Sequence, residues 1–296
     1  MRSTFSQRIS IIFLLVISAL SLSPAISLAT ANAINELDLQ SGSVLVVDEK
    51  TGSVLISQQA DVAAPIASIT KLMTALVVLE AKQPMNQVIQ ITNADKDTVR
   101  GSSSRLAVGT RLSRADLMHL ALMSSENRAA HALGRNYPGG LTPMVKAMNA
   151  KAKALGMTTA HFVDPTGLSS SNVASPEDLT KLVIAASHNA AIRRYSTDEA
   201  YKVKAGKRVL EYRNTNTLVT KSDWDIVVQK TGYITEAGKC LVMKAVIAGR
   251  SVVIVLLDSV GKYTRVADAK RIKTWMESLP SAALAKLSGQ SARDGT

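Results

Sequence analysis

The chain has 296 residues, a formal net charge of +12, an apolar fraction of 46% and one cysteine. Length and apolar content support a packed core, as one large domain or two small ones, with one the simpler reading. With Cys240 alone, an internal disulfide and a paired-cysteine zinc site are both excluded, so stability rests on the core.

Residues 1–33 begin with Arg2 and Arg8, followed by an apolar run from about Ile9 to Leu22, Pro24, and Ala-x-Ala sites at Ala29/Ala31 and Ala31/Ala33. This order predicts a cleaved secretory signal peptide. The run is shorter than the roughly 20 apolar residues that a spanning helix needs. Removal of Arg2 and Arg8 leaves +10 (12 − 2). An exported basic protein suits an anionic partner such as cell-wall polymer or a phospholipid surface, and export argues against nucleic acid. The charges are scattered rather than clustered with aromatic residues, so most read as solvated surface.

Next, SVLVVD (43–48) and GSVLIS (52–57) flank the turn Glu49-Lys50-Thr51-Gly52, a hairpin signature. From Ser68 to about Tyr195 the pattern turns helical, in SITKLMTALVVLEAK, RADLMHLALM, NRAAHALGR, LTPMVKAMNAKAKALG and SPEDLTKLVIAA. Strands return in DIVVQKTGY from Asp225, CLVMKAVIA from Cys240 and SVVIVLLD from Ser251, and Thr264 to Leu279 reads as a closing helix. Residues 34–280 are therefore expected to form a single α/β (α+β) domain. Its antiparallel sheet is built from both ends of the domain and packs with an inserted helical region, and sites tend to form at such a seam. Residues 281–296, small and polar, are expected to be a flexible tail.

The helix opening at Ser68 is apolar on every face in LMTALVVL, which marks a buried helix. Lys71 stands in its first turn, where the helix dipole disfavours a cation. Ser68 and Lys71 are three apart and share a face. Burial and the dipole push a lysine toward its neutral form, and a neutral amine beside a serine hydroxyl is a general base. The competing reading has Ser68 as a helix cap and Lys71 snorkelling to solvent.

Chance supplies roughly one Ser-x-x-Lys per chain of this size, and a second exists at Ser259 to Lys262. Ser-x-Asn occurs at Ser125-Glu126-Asn127, Ser170-Ser171-Asn172 and Ser187-His188-Asn189, and Lys-Thr-Gly at Lys50 and at Lys230. The order Ser-x-x-Lys, then Ser-x-Asn, then Lys-Thr-Gly is the grouping of penicillin-binding proteins and class A β-lactamases. That order removes Ser259 and Lys50 and leaves three trios that differ in the middle element. Ser125 and Asn127 are favoured, because they sit at a break between two apolar helices.

IASITKLMTALVV, LMSSENRAAHALGRNYPGG, HFVDPTGLS and KTGYITEAGKCLVM together resemble the D-Ala-D-Ala peptidase family of low-molecular-mass penicillin-binding proteins, nearest its endopeptidase members. The resemblance covers essentially the whole chain between the signal and the closing helix. It implies a DD-peptidase/β-lactamase-like fold and these roles: Ser68 the acyl-ester nucleophile, Lys71 its base, Ser125 the carrier of a proton to the leaving group, Asn127 the holder of the substrate amide. Lys230 would attract the carboxylate beside the scissile bond with help from Thr231. Gly232 would let substrate lie against the strand, and the backbone N–H groups of Ser68 and Tyr233 would form the oxyanion hole.

The same resemblance implies a periplasmic hydrolase of D-Ala-diaminopimelate cross-links in peptidoglycan, acylated by β-lactam antibiotics, with no cofactor and no metal. Other cell-wall enzymes stay open as partners. The second β-rich domain and C-terminal amphipathic anchor of larger relatives find too little sequence here, so no stable membrane anchor is expected. The alternatives are a D-Ala-D-Ala carboxypeptidase, a β-lactamase and a non-catalytic wall-binding module. A Glu-x-x-Leu-Asn segment, the deacylation motif of class A β-lactamases, is missing from the chain. His119, His131, His161 and His188 lack the spacing of a zinc peptidase.

Overall fold

The computed structural model describes residues 37–280; the expected signal peptide at 1–33 and tail at 281–296 lie outside the described residues. In chain order, β1 (Ser41–Asp48) and β2 (Val54–Gln58) form the N-terminal hairpin, and β3 (Ala64–Pro65) leads through a 3-10 turn (Ala67–Ile69) into helix α1 (Thr70–Glu80). Short strands β4 (Val88–Gln90) and β5 (Arg111–Ser113) pair, followed by α2 (Arg114–Met123), α3 (Asn127–Arg135) and α4 (Leu141–Ala154). Then come β6 (Val173–Ala174), paired with β3, helices α5 (Pro176–Ser187) and α6 (Ala190–Thr197), and the hairpin β7 (Ala200–Ala205) and β8 (Arg208–Arg213). Strands β9 (Asp225–Ile234), β10 (Gly238–Ile247) and β11 (Arg250–Ser259) and helix α7 (Thr264–Ser278) close the fold.

The main sheet runs β2-β1-β11-β10-β9, antiparallel throughout. Ser41 faces Ser259, so the first strand completes the sheet beside the last. Its strands read as unbroken apolar runs because both faces are buried. Val44, Val46, Leu241, Met243, Ile254 and Leu256 pack under α7 with Ala269, Ile272 and Met276, while Leu45, Val47, Val242, Val253 and Val255 turn to the helical side. This is the period of two that a pleated strand imposes.

Helix α1 is the axis of the helical region. Every residue from Thr70 to Val78 is buried, as a helix apolar all round requires. It packs on α2, α3, α4 and α5. Its leading 3-10 turn rests against β9, the free edge of the sheet, and that contact is the seam on which the site is built. Helix α6, the β7–β8 hairpin and the short strands β3 to β6 are absent from the sequence reading. In the hairpin, alternation is masked by Lys202, Lys204, Arg208 and Glu211, because one of its faces meets solvent while Val203, Leu210 and Tyr212 turn inward.

Candidate active site

Ser68 lies in the 3-10 turn, two residues before α1, rather than opening the helix. The helix cap is Ile69 and no side chain caps it, so Ser68 is no capping residue and its hydroxyl is available. Ala67, just before it, has φ 47°, a left-handed conformation that costs a non-glycine residue of order 1 kcal/mol. Gly167 holds that corner, since a Cβ there would stand 1.9 Å from the Ala67 carbonyl oxygen.

Lys71 Nζ lies 2.7 Å from Ser68 Oγ, 2.8 Å from Asn127 Oδ1 and 2.6 Å from the Thr166 carbonyl oxygen. The side chain is 1% exposed, so snorkelling is excluded. Burial lowers its pKa to about 7, against the partial counter-pull of Asp164 and Glu126. As an ammonium, Nζ donates to all three oxygens. As a neutral amine it keeps two of those donations and turns its lone pair to the Ser68 hydroxyl, the arrangement of a general base.

Asn127 opens α3, directly after the break that follows α2. Its Oδ1 accepts from Lys71, and its Nδ2 donates to Ser102 Oγ at 3.0 Å. Ser125 takes φ 61° at the tip of the break. Asn127 touches the lysine, whereas among the described residues no hydrogen bond joins Ser125 to Ser68, Lys71 or Lys230. The two rival Ser-x-Asn strings are structural. Asn172 is fully buried and clamps the 163–164 backbone, while Asn189 caps α6 through Ala191 N and Ile192 N. Ser259, of the second Ser-x-x-Lys, bonds Ser41 Oγ inside the sheet, and its Lys262 lies over the Tyr263 ring.

Strand β9 brings Lys230, Thr231, Gly232 and Tyr233 to the turn that carries Ser68. Gly232 is there for space: a Cβ would meet Ile66 O at 2.9 Å, Ala67 Cβ at 3.1 Å and Ser68 N at 3.3 Å. Lys230 is wholly buried, and its Nζ donates to Thr231 O at 2.9 Å. Burial, with Lys71 and Arg265 nearby, pushes its pKa well down. Thr231 Oγ1 shares a 2.6 Å hydrogen bond with Thr215 Oγ1. Tyr233 is exposed on the rim, with Lys239 Nζ 4.0 Å from its ring centroid.

Four supports of this site carried no assigned role in the sequence. Thr166 belongs to a loop that Asp164 organises by accepting from Thr166 N, Thr166 Oγ1 and Gly167 N; the Asp-Pro-Thr-Gly turn chemistry was the available signal. Ser102 and Thr215 sit in loops, and no spacing announces them. Arg265, in α7, donates to Gly232 O at 2.9 Å from 33 positions further along the chain. It adds a partly buried cation near Lys230.

A serine under a buried lysine, an asparagine-bearing turn and a Lys-Thr-Gly strand, on a sheet closed by both ends of the chain, define the serine DD-peptidase class of penicillin-binding fold. The sequence pattern of the D-alanyl-D-alanine carboxypeptidase family matches residues 29–261, and the chain belongs to that family. It is 48% identical over 255 residues to a D-alanyl-D-alanine endopeptidase of Pseudomonas aeruginosa, covering 84% of this chain and 82% of that one. It is 42% identical over 286 residues to a D-alanyl-D-alanine endopeptidase of Escherichia coli, covering 94% and 92%. The crystal structure of the Streptomyces K15 DD-transpeptidase superposes with a TM-score of 0.75 at 28% identity, over 81% of this chain and 98% of that one.

Proposed function

We propose that the protein is a serine endopeptidase that hydrolyses D-Ala-diaminopimelate cross-links in peptidoglycan through an acyl ester on Ser68, and that β-lactams acylate the same oxygen. The observation that carries this is the buried Lys71 amine, 2.7 Å from Ser68 Oγ with its pKa lowered to about 7. Neutral Lys71 takes the Ser68 proton as Oγ attacks the D-Ala carbonyl. The N–H groups of Ser68 and Tyr233 receive the oxyanion, each such donor being worth roughly 10²–10³ in rate. The C–N bond then breaks, and the amine of the diaminopimelate leaves with a proton passed by way of Ser125. Water hydrolyses the ester with Lys71 again as base.

Asn127 supports the substrate amide, and Lys230 with Thr231 receives the carboxylate next to the scissile bond. A buried cation whose pKa burial depresses gains most from an arriving carboxylate, and Arg265 beside Lys230 strengthens that seat. In this proposal residues 1–33 direct export to the periplasm, 34–280 form the catalytic domain and 281–296 trail from it. No described helix is long and apolar enough to cross a membrane.

Two measurements test the proposal. Intact-mass analysis after incubation with benzylpenicillin shows one covalent adduct, absent in Ser68→Ala; a wild-type protein without adduct overturns it. Digested muropeptides then separate the two peptidase activities. Conversion of cross-linked dimers to monomers is expected, and intact dimers with released D-Ala would mark a carboxypeptidase instead.

A further inference from the structure

An open cavity of about 550 Å³ adjoins the candidate site, walled by Ser103 to Arg105, Glu126 and Glu211 to Arg213. Each wall ends within two residues of a contact already described. Ser103 follows Ser102, the acceptor of Asn127 Nδ2. Glu126 lies between Ser125 and Asn127, and Arg213 stands two residues before Thr215, the partner of Thr231. The cavity therefore opens beside the chain position where an acyl-donor peptide must lie.

Its charges are partly spoken for and partly free. Arg213 pairs with Glu211 at 3.1 Å. Arg105 is laid over the Tyr212 ring, 4.0 Å from the centroid, and no described carboxylate is within ion-pair distance of it. Glu126 is 9% exposed; one carboxylate oxygen accepts from Arg128 N, and no described cation pairs with it. Tyr212 Oη is buried without a hydrogen-bond partner among the described residues. Burial and the nearby Glu126 charge push its pKa up to about 12, so it stays a protonated donor. One free cation, one free anion and one orphaned donor around a single cavity complement a group bearing both charges and an acceptor.

We propose that this cavity binds a zwitterionic α-amino-acid group, its carboxylate on Arg105 and Tyr212 Oη and its ammonium on Glu126. The inference rests on the peptidoglycan reading of the site and deepens it. Diaminopimelate carries an α-amino acid at each end. The peptide that supplies the D-Ala carbonyl keeps one such end free, one residue ahead of the D-Ala. Held here, that end would align the scissile bond over Ser68, making Arg105 a specificity-determining residue.

The test uses the full chain and ligands that have no scissile bond, so that binding is read apart from turnover. The tripeptide L-Ala-γ-D-Glu-diaminopimelate and its lysine counterpart, which keeps the side-chain ammonium but lacks the side-chain carboxylate, are titrated calorimetrically. The wild type should bind the diaminopimelate form at least about tenfold more tightly, since a site built for a polar group discriminates strongly against its absence. Arg105→Ala should erase the difference, and Arg105→Lys should restore part of it. Equal or unmeasurable binding of the two by the wild type, or a preference that survives Arg105→Ala, overturns the proposal. The benzylpenicillin adduct of the wild type is measured alongside, so that the acyl-enzyme chemistry is read apart from the cavity. Loss of the adduct in the wild type would instead strike the peptidase reading, leaving the titration to judge the cavity.

Discussion

Lys-Thr-Gly occurs twice, and the two copies share nothing but their letters. Lys50-Thr51-Gly52 joins β1 to β2 with all three residues exposed. Thr51 N and Oγ1 donate to Asp48 Oδ1, and Gly52 takes φ 72° with nothing within 4 Å of a would-be Cβ. Lys230-Thr231-Gly232 lies within β9 with all three buried, and Gly232 is crowded by Ile66 and Ala67. The first glycine is required by backbone conformation and the second by proximity. The first lysine keeps a turn wet, whereas the second is wholly buried and pairs with no carboxylate among the described residues.

The widest separation between the copies should appear on removing charge. Lys230→Ala is expected to slow benzylpenicillin acylation by about 10²-fold or more, the scale for losing a positioned charge in a dry site. Lys50→Ala should leave the rate at the wild-type value. Equal effects on the two rates, followed by stopped-flow or intact mass, would erase the distinction.

Substituting the glycines separates the two physical causes. Gly232→Ala drives a methyl into backbone at 2.9 Å and moves the Ser68 turn, so acylation should fall at least about tenfold, as small misplacements of reacting groups do. Gly52→Ala strains only a turn with φ 72° and should lower stability by about 1 kcal/mol in a denaturant melt, with acylation unchanged.

The pH dependence sharpens the role of the buried lysines without any substitution. Lys71, with its pKa lowered to about 7, is protonated below that value and cannot accept the Ser68 proton; above it the amine is free. Acylation should therefore rise with pH to a plateau, half-complete near 7. A profile flat from about pH 6 to about pH 8 would remove Lys71 as the base. The smallest effect is expected at the rim. Tyr233→Ala should alter peptide KM by about two- to fivefold, because an exposed ring contributes mainly contact area.

Much of the architecture could be read from pattern. Helices α2 and α3 and the strands that become β9, β10 and β11 follow apolar periodicity, and the Ser125–Asn127 break falls between two helices as expected. Motif order separated Ser68 from Ser259 and Asn127 from Asn172 and Asn189, although each string alone was cheap. Asn172 shows why such strings mislead: a buried asparagine with two acceptor contacts and two donor contacts is as useful for holding a loop as for holding a substrate. The β7–β8 hairpin was missed because its solvent face carries the charges, and with it Glu211, Tyr212 and Arg213 of the cavity wall. Arg265 was missed because a helix pattern reports which face is apolar, not which strand one of its two arginines will reach.

The sequence by itself determined the buried helix, the apolar strands and the ordered set Ser68-Lys71, Ser125-Asn127 and Lys230-Gly232, since local periodicity and order along the chain are written in one dimension. Tertiary structure alone decided the pKa of Lys71, the crowding at Gly232, the pairing of Arg265 with the Lys-Thr-Gly strand and the juxtaposition of Arg105 with Glu126. Those quantities depend on desolvation and on distances between segments far apart in sequence, which exist only after the chain has packed.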